Sequence, residues 1–136
     1  MKFTGERFIV GQAVGDIVIE HMQRYRIAAS LAAGREVLDV ACGEGYGSSI
    51  LAEQARCVQG IDISAEAVAY ASEHYAKENL QYICASAAEL PLADNSVDMV
   101  VSFETIEHID ADLQHRFLME IRRVLRSGGV LLMSSP

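Results

Sequence analysis

A chain of 136 residues, 51% hydrophobic and 22% charged, has the balance of one globular domain, long enough to bury roughly two thirds of its unfolded surface. With 19 acidic against 11 basic residues the net charge is −8, which argues against a general polyanion binder, since nucleic-acid affinity rests on neutralising phosphates. No apolar run approaches the ~20 residues of a membrane span and MKFTGERFIV lacks a signal-peptide core, so a cytoplasmic protein with neither nucleic acid nor membrane as partner is expected.

In GDIVIEHMQRYRIAASLAAG (15–34), apolar residues recur at helical spacing from Ile17 through His21, Tyr25 and Ala28 to Leu31, with Gly34 as a stop. EVLDV (36–40) reads as a first strand, followed by a glycine turn and a helix YGSSILAEQA. RCVQGIDI (56–63) is a second strand, and Ser64 opens a helix SAEAVAYASEHYAKE of good formers. LQYICAS (80–86) is a third strand, AELPLADNS a loop, and SVDMVVSF (96–103) a fourth strand. The segment DADLQHRFLMEIRRVLRSGG sets Leu113, Phe117, Leu118, Ile121, Val124 and Leu125 on one helical stripe that stops at Gly128-Gly129, before a fifth strand GVLLMSSP. Arg116, Arg122, Arg123 and Arg126 read as the solvated face and dipole-matched end of that helix. Cys42, Cys57 and Cys84 are odd in number and form no CxxC, and so read as reduced thiols packed as small apolar residues rather than a zinc or redox site.

Strands alternating with helices predict an α/β fold: a parallel sheet in a three-layer, Rossmann-like arrangement with helices on both faces. Residues 1–34 form a helical cap and 35–136 the sheet domain. In such sheets ligands bind beyond the carboxyl ends of the strands. That rule sets Asp39, Asp62, Ser86 and Phe103 on one rim.

The stretch VLDVACGEGYGS (37–48) asks what its glycines at 43, 45 and 47 serve. A dinucleotide fingerprint GxGxxG fails in both registers, because Ser48 or Tyr46 stands where the third glycine belongs. No GK[ST] follows, so a P-loop is excluded, and the turn carries Glu44 with neither Lys nor Arg. A ligand with a cationic end and no phosphate suits it better. Asp62 follows Asp39 by 23 residues, close to the ~20-residue spacing at which a second-strand acid takes ribose hydroxyls. A ribose acceptor beside a site for a zwitterion describes S-adenosylmethionine.

VLDVACGEG, GIDIS, ASAAELPLADNSVDMVVSFETIEHI and RVLRSGGVLLMSSP together resemble the class I S-adenosylmethionine-dependent methyltransferases, within them the small-molecule branch, over residues 35–136. FTGERFIV and HMQRYRIAA also look like the N-terminal helical cap of bacterial relatives often associated with cell-surface polysaccharide genes. The resemblance implies that Asp39, Ala41, Gly43 and Gly45 hold the methionine end of the cofactor, the Ala41 carbonyl meeting its ammonium. Asp62 would take the ribose hydroxyls, Ile63 would pack on the adenine, and Ser86 and Ala87 would meet its edge. Phe103 and Glu104 would lie beside the methionine, and Arg26 or Arg7 could pair with its carboxylate. Two departures stand out: many relatives have Gly where Ala41 stands and Asp where Ser86 stands.

Methyl transfer from a sulfonium is an in-line displacement that needs alignment above all, and a base only where the acceptor must lose a proton. His108, with Glu104 one helical turn before it, is the candidate base; a helix cap or packing against the substrate loop is its structural alternative. Glu104, His108 and Asp112 at i, i+4 and i+8 would face one another on a helix, yet no metal is expected. The methyltransferase fold runs on to seven strands ordered 3-2-1-4-5-7-6, whereas this sequence supports five, ordered 3-2-1-4-5. VLLM would keep a bare edge: either the chain is shortened, or a second subunit in a homodimer covers it. Two other functions remain: a cofactor-binding but catalytically incomplete interaction module, and an NAD-dependent oxidoreductase, which the broken fingerprint disfavours.

Overall fold

The computed structural model describes residues 16–103 and 105–134, with side chains from residue 20 onward. Helix α1 (Asp16–Leu31) precedes β1 (Glu36–Val40), α2 (Tyr46–Ala52), β2 (Cys57–Asp62), α3 (Ala65–His74) and β3 (Leu80–Cys84). Then come β4 (Val97–Phe103), a 3-10 turn (Ile106–His108), α4 (Ala111–Val124) and β5 (Leu125–Ser134). The strands form one parallel sheet in the expected order β3-β2-β1-β4-β5. Successive strand residues point to opposite faces, so each face builds its own core. Val37, Val58, Met99, Val101 and Phe103 share one with α1 and α2. Leu38, Val40, Ile61 and Val100 share the other with Phe117, Ile121 and Val124 of α4. Helix α3 lies over β2 and β3, seated by the small buried Ala67 and Ala71. Its start is as expected: the Ser64 hydroxyl accepts from the Ala67 N–H at 3.1 Å.

The described part of the cap segment belongs to the sheet's own core. Tyr25, Ala28, Ala29 and Ala32 are its buried face, whereas Leu31 is 45% exposed, against expectation. Helical pitch explains the correction: 25, 28, 29 and 32 follow the i, i+3, i+4, i+7 stripe, and Leu31 lies about 240° around the helix from Tyr25. Three alanines let α1 approach closely, and Gly34 at φ +71° turns the chain into β1.

Helix α4 departs from expectation at its end. It stops at Val124, and Leu125 is already extended (φ −72°, ψ 132°), three residues before Gly128. The Arg126 guanidinium bridges Glu36 (2.6 Å) and Asp98 (2.9 Å), drawing the chain onto the sheet. Residues 126–129 then bulge out of the β4–β5 ladder, Gly128 taking φ +81°. Arg123 is equally engaged, holding Glu120, Asp94 and the carbonyls of Leu90 and Leu92 with its fork of donors. So of the four arginines read as a solvated face, Arg116 and Arg122 are exposed and the other two are structural clamps. On the apolar stripe Phe117, Ile121 and Val124 are buried, while Leu113 and Leu118 are 37% and 42% exposed. All three cysteines are free thiols, but Cys84 is exposed rather than packed. No helix among the described residues is long and apolar enough to cross a membrane.

Candidate functional site

The glycine turn crosses the carboxyl end of β1, and each of its glycines has its own reason. Gly43 (φ +57°) and Gly45 (φ +96°) adopt left-handed backbone that an L side chain resists. A Cβ on Gly45 would also lie 2.6 Å from that of Ala71, so the turn is tucked under α3. The Tyr82 hydroxyl holds it there, 3.0 Å from the carbonyls of both Gly45 and Tyr75. Gly47 is helical; its missing side chain makes room for the Tyr25 ring, whose atoms would be 2.3–2.5 Å from a Cβ. Gly47→Ala is therefore expected to cost about 1–3 kcal/mol by overpacking, read as a lower urea midpoint. An unchanged midpoint would mean that the ring moves aside freely. Asn95 is the one described non-glycine residue with positive φ, so Ala41 stands in the turn without strain.

Asp39 lies beneath the rim rather than on it. It is fully buried and faces α1 and α2, accepting from the Tyr25 hydroxyl (3.1 and 3.2 Å to its two oxygens) and the Ser48 hydroxyl (2.7 Å). Burial pushes its carboxyl up to about 7; the two hydroxyl donors oppose that rise and nearby Asp62 adds to it. Gly60 leaves space for Ser48, because a Cβ there would be 2.8 Å from its oxygen. Burial likewise raises the Cys42 thiol, keeping it protonated.

Asp62 joins the two halves of the site. One carboxylate oxygen accepts from the Gly43 N–H and the other from the Ser64 N–H, both at 2.9 Å, so the residue ties the glycine turn to the start of α3. A carboxylate oxygen has two acceptor positions, leaving each with capacity for a further donor. Beside it Ile63 is 73% exposed, a large apolar side chain held up at the rim. Following β3, Ser86 accepts from the Ala88 N–H (3.1 Å), and Ala87 packs half-buried against the α4-side core. Phe103 ends β4 buried edge-to-face on Tyr25, with ring centroids 5.0 Å apart. Thr105 then turns the chain, its hydroxyl 3.3 Å from the Val40 carbonyl and 3.2 Å from that of Phe103.

The structure thus ties Gly43 to Asp62 by a hydrogen bond and sets Gly45 in the same turn, with Ala41 and Ile63 adjoining them, while Asp39 lies below, bonded to Tyr25 and Ser48. Ser86, Ala87, Phe103 and His108 follow the carboxyl ends of β3 and β4. His108 is exposed at the end of the 3-10 turn, and Arg26 lies on the exposed side of α1. Glu104 and Arg7 fall outside the described residues. No continuous helix carries both His108 and Asp112: Ile109 is extended (φ −101°, ψ 132°) between the 3-10 turn and α4. Among the described residues no three His, Cys, Asp or Glu side chains are placed to hold a metal. Tyr25, Ser48, Tyr82 and Thr105 are not among the site residues expected from the sequence. Ser48, in the first helical turn after the glycines, carried the clearest missed signal.

Comparison with known proteins agrees with this geometry. A family model described as "Methyltransferase domain" matches residues 38–133. Over 137 aligned residues the chain is 42% identical to a Mycolicibacterium smegmatis protein described as "Probable S-adenosylmethionine-dependent methyltransferase", covering 100% of this chain and 52% of that one. The chain spans about half the length of these curated relatives. Among solved structures, a Pyrococcus horikoshii protein superposes with TM-score 0.78 at 28% identity, over 96% of this chain and 62% of that chain. A phosphoethanolamine N-methyltransferase of Haemonchus contortus, in complex with phosphoethanolamine and S-adenosylhomocysteine, superposes at TM-score 0.74 and 26% identity, over 85% of this chain and 26% of that chain. A five-stranded sheet in this order, a doubly left-handed glycine turn tied to a second-strand acid and a family match over most of its length place the chain in the S-adenosylmethionine-dependent class I methyltransferase family.

Proposed function

We propose that this chain binds S-adenosylmethionine at the glycine turn and serves a methyltransferase that acts on a small-molecule acceptor by in-line displacement. The observation that carries the reading is Asp62: a buried carboxylate with spare acceptor capacity on both oxygens, next to an exposed isoleucine. That pairing suits a vicinal diol followed by a flat apolar ring. The turn itself carries no Lys or Arg and does not suit a pyrophosphate. The residues present therefore fit an adenosyl amino acid.

In this reading Asp62 takes the ribose hydroxyls, Ile63 covers an adenine face, and Ser86 and Ala87 border its edge. Asp39, Ala41, Gly43 and Gly45 receive the amino-acid end, with Phe103 and Glu104 beside it and Arg26 or Arg7 as partner for its carboxylate. When bound, the cofactor supplies the electrophilic methyl group. The chain's residues supply orientation and exclude water. Residues 1–34 act as the cap and 35–136 as the cofactor-binding domain. The outer edge of β5, where Leu131 is 39% exposed, is open to a second copy of the chain.

His108 holds the acceptor's proton at a ring nitrogen where that acceptor is a hydroxyl. Calorimetry with S-adenosylhomocysteine and with NAD tests the cofactor assignment: the first is expected to bind and the second not, and the reverse would overturn it. For turnover, His108→Ala is expected to lower kcat on a hydroxyl acceptor by about 10²–10⁴-fold at unchanged cofactor affinity. Equal turnover would remove His108 from the chemistry. Cofactor binding with no product from any acceptor would favour a catalytically incomplete module.

A further inference from the structure

We propose that Tyr25 is a positioning residue: its hydroxyl fixes the buried Asp39 carboxylate as the negative charge beneath the turn that receives the cofactor's ammonium group, and so couples α1 to cofactor binding. The proposal rests on the cofactor assignment made above. Its starting point is what surrounds Asp39. Tyr25 faces it from α1, Ser48 and Tyr46 from α2, Cys42 from the glycine turn and Asp62 from β2. On the β4 side the neighbours in that core, Val101 and Phe103, are apolar. Among the described residues these groups are neutral or acidic, and no described lysine or arginine shifts the Asp39 carboxyl. A carboxylate so enclosed is stabilised by a cation brought close to it. The cationic end of an adenosyl amino acid is such a charge.

Tyr25 does more here than fill space. A phenylalanine would pack the same ring against Gly47, Phe103 and His21 without burying a hydroxyl. Instead the hydroxyl sits almost equidistant from both Asp39 oxygens, at 3.1 and 3.2 Å, while Ser48 takes one of them at 2.7 Å. Two donors fix the plane of the carboxylate and favour its charged form. The tyrosine ring cannot shift toward α2, because it already rests on Gly47. The segment that carries the ring is α1, so the placement of that helix and the charge state of Asp39 are coupled.

The experiment is calorimetric binding of S-adenosylhomocysteine to the full chain between pH 5.5 and 8.5, in buffers of different ionisation enthalpy, for wild type, Tyr25→Phe and Asp39→Asn. Wild type is expected to bind more tightly as pH rises through about 7 and to release a proton on binding. Tyr25→Phe is expected to move that midpoint upward and to weaken binding about tenfold at pH 7, the effect of one hydrogen bond to a charged group. Asp39→Asn is expected to bind weakly at every pH with no midpoint, which assigns the midpoint to Asp39. Ser48→Ala, which removes the other donor, is expected to shift the midpoint in the same direction and serves if Tyr25→Phe fails to fold. A Tyr25→Phe protein with a lower Tm but an unmoved midpoint would overturn the proposal, leaving the ring a packing element. Tight, pH-independent binding by wild type would overturn the coupling and spare the cofactor assignment. Absence of binding by wild type at every pH would sink the cofactor assignment itself.

Discussion

Asp62→Ala is expected to weaken S-adenosylhomocysteine binding by about a hundredfold or more and to lower stability by about 2–3 kcal/mol. The two effects have separate origins. Hydrogen bonds to a charged group contribute about 1.5–3 kcal/mol each, and loss of the carboxylate removes the acceptors for a ribose diol. The same change leaves the N–H groups of Gly43 and Ser64 without their 2.9 Å partner, which frees the glycine turn and the start of α3 together. Calorimetry reads the first loss and urea unfolding the second. Unchanged affinity in a folded variant would take Asp62 out of the cofactor site, whatever its part in holding the turn.

Asp39→Asn is expected to act in the opposite sense on stability. With the native carboxyl held up at about 7 against an ordinary value of 3.8, the folded chain retains a proton through a range where the unfolded chain has lost it. Native protein therefore binds more protons than unfolded protein between about pH 4 and 7, and stability falls as pH rises across that window. The contribution is fully present below about pH 4 and lost above about pH 7. At 1.36 kcal/mol per unit it amounts to roughly 4 kcal/mol. Asparagine has nearly the same shape and no charge, and the Tyr25 and Ser48 hydroxyls can rotate to meet its amide. The variant is expected to be about 2–4 kcal/mol more stable than wild type at pH 8 and nearly equal at pH 4, at the cost of cofactor affinity. Urea midpoints at the two pH values test this; parallel curves for the two proteins would show that Asp39 carries no such penalty. Asp98 and Glu120, held low by the Glu36 N–H with Arg126 and by Arg123, work the other way, their stabilisation being lost as pH falls below the carboxylate range.

Much of this was legible in the chain because it is local. The apolar runs VLDV and VDMVV announce strands covered on both faces, and β1 lies at 36–40 as the pattern predicts. Ser64 announces its helix by capping chemistry alone. Gly43 and Gly45 declare left-handed backbone, and Asp62 sits where strand end and glycine turn must meet. The two errors of extent have a common cause. Helical periodicity continued through Leu125 and set Glu104 one helical turn before His108, yet Leu125 opens β5 and residues 105–110 form a 3-10 turn and loop. Arg126 pulled the chain onto Glu36 and Asp98 before the glycines were reached, and Thr105 bound the Val40 carbonyl where a helical turn was expected.

What the sequence by itself determined is the alternation of strand and helix, hence the parallel sheet, and the glycine-and-acid signature at its carboxyl rim. Those follow from backbone sterics and side-chain periodicity within a few residues of each position. What only the tertiary structure decided is that Asp39 lies beneath the rim, with a tyrosine 14 residues earlier and a serine 9 residues later closing over it. Such partners meet through the packing of α1 and α2 against one sheet face, and no local pattern in the chain encodes which side chains that packing brings within hydrogen-bonding distance of one another.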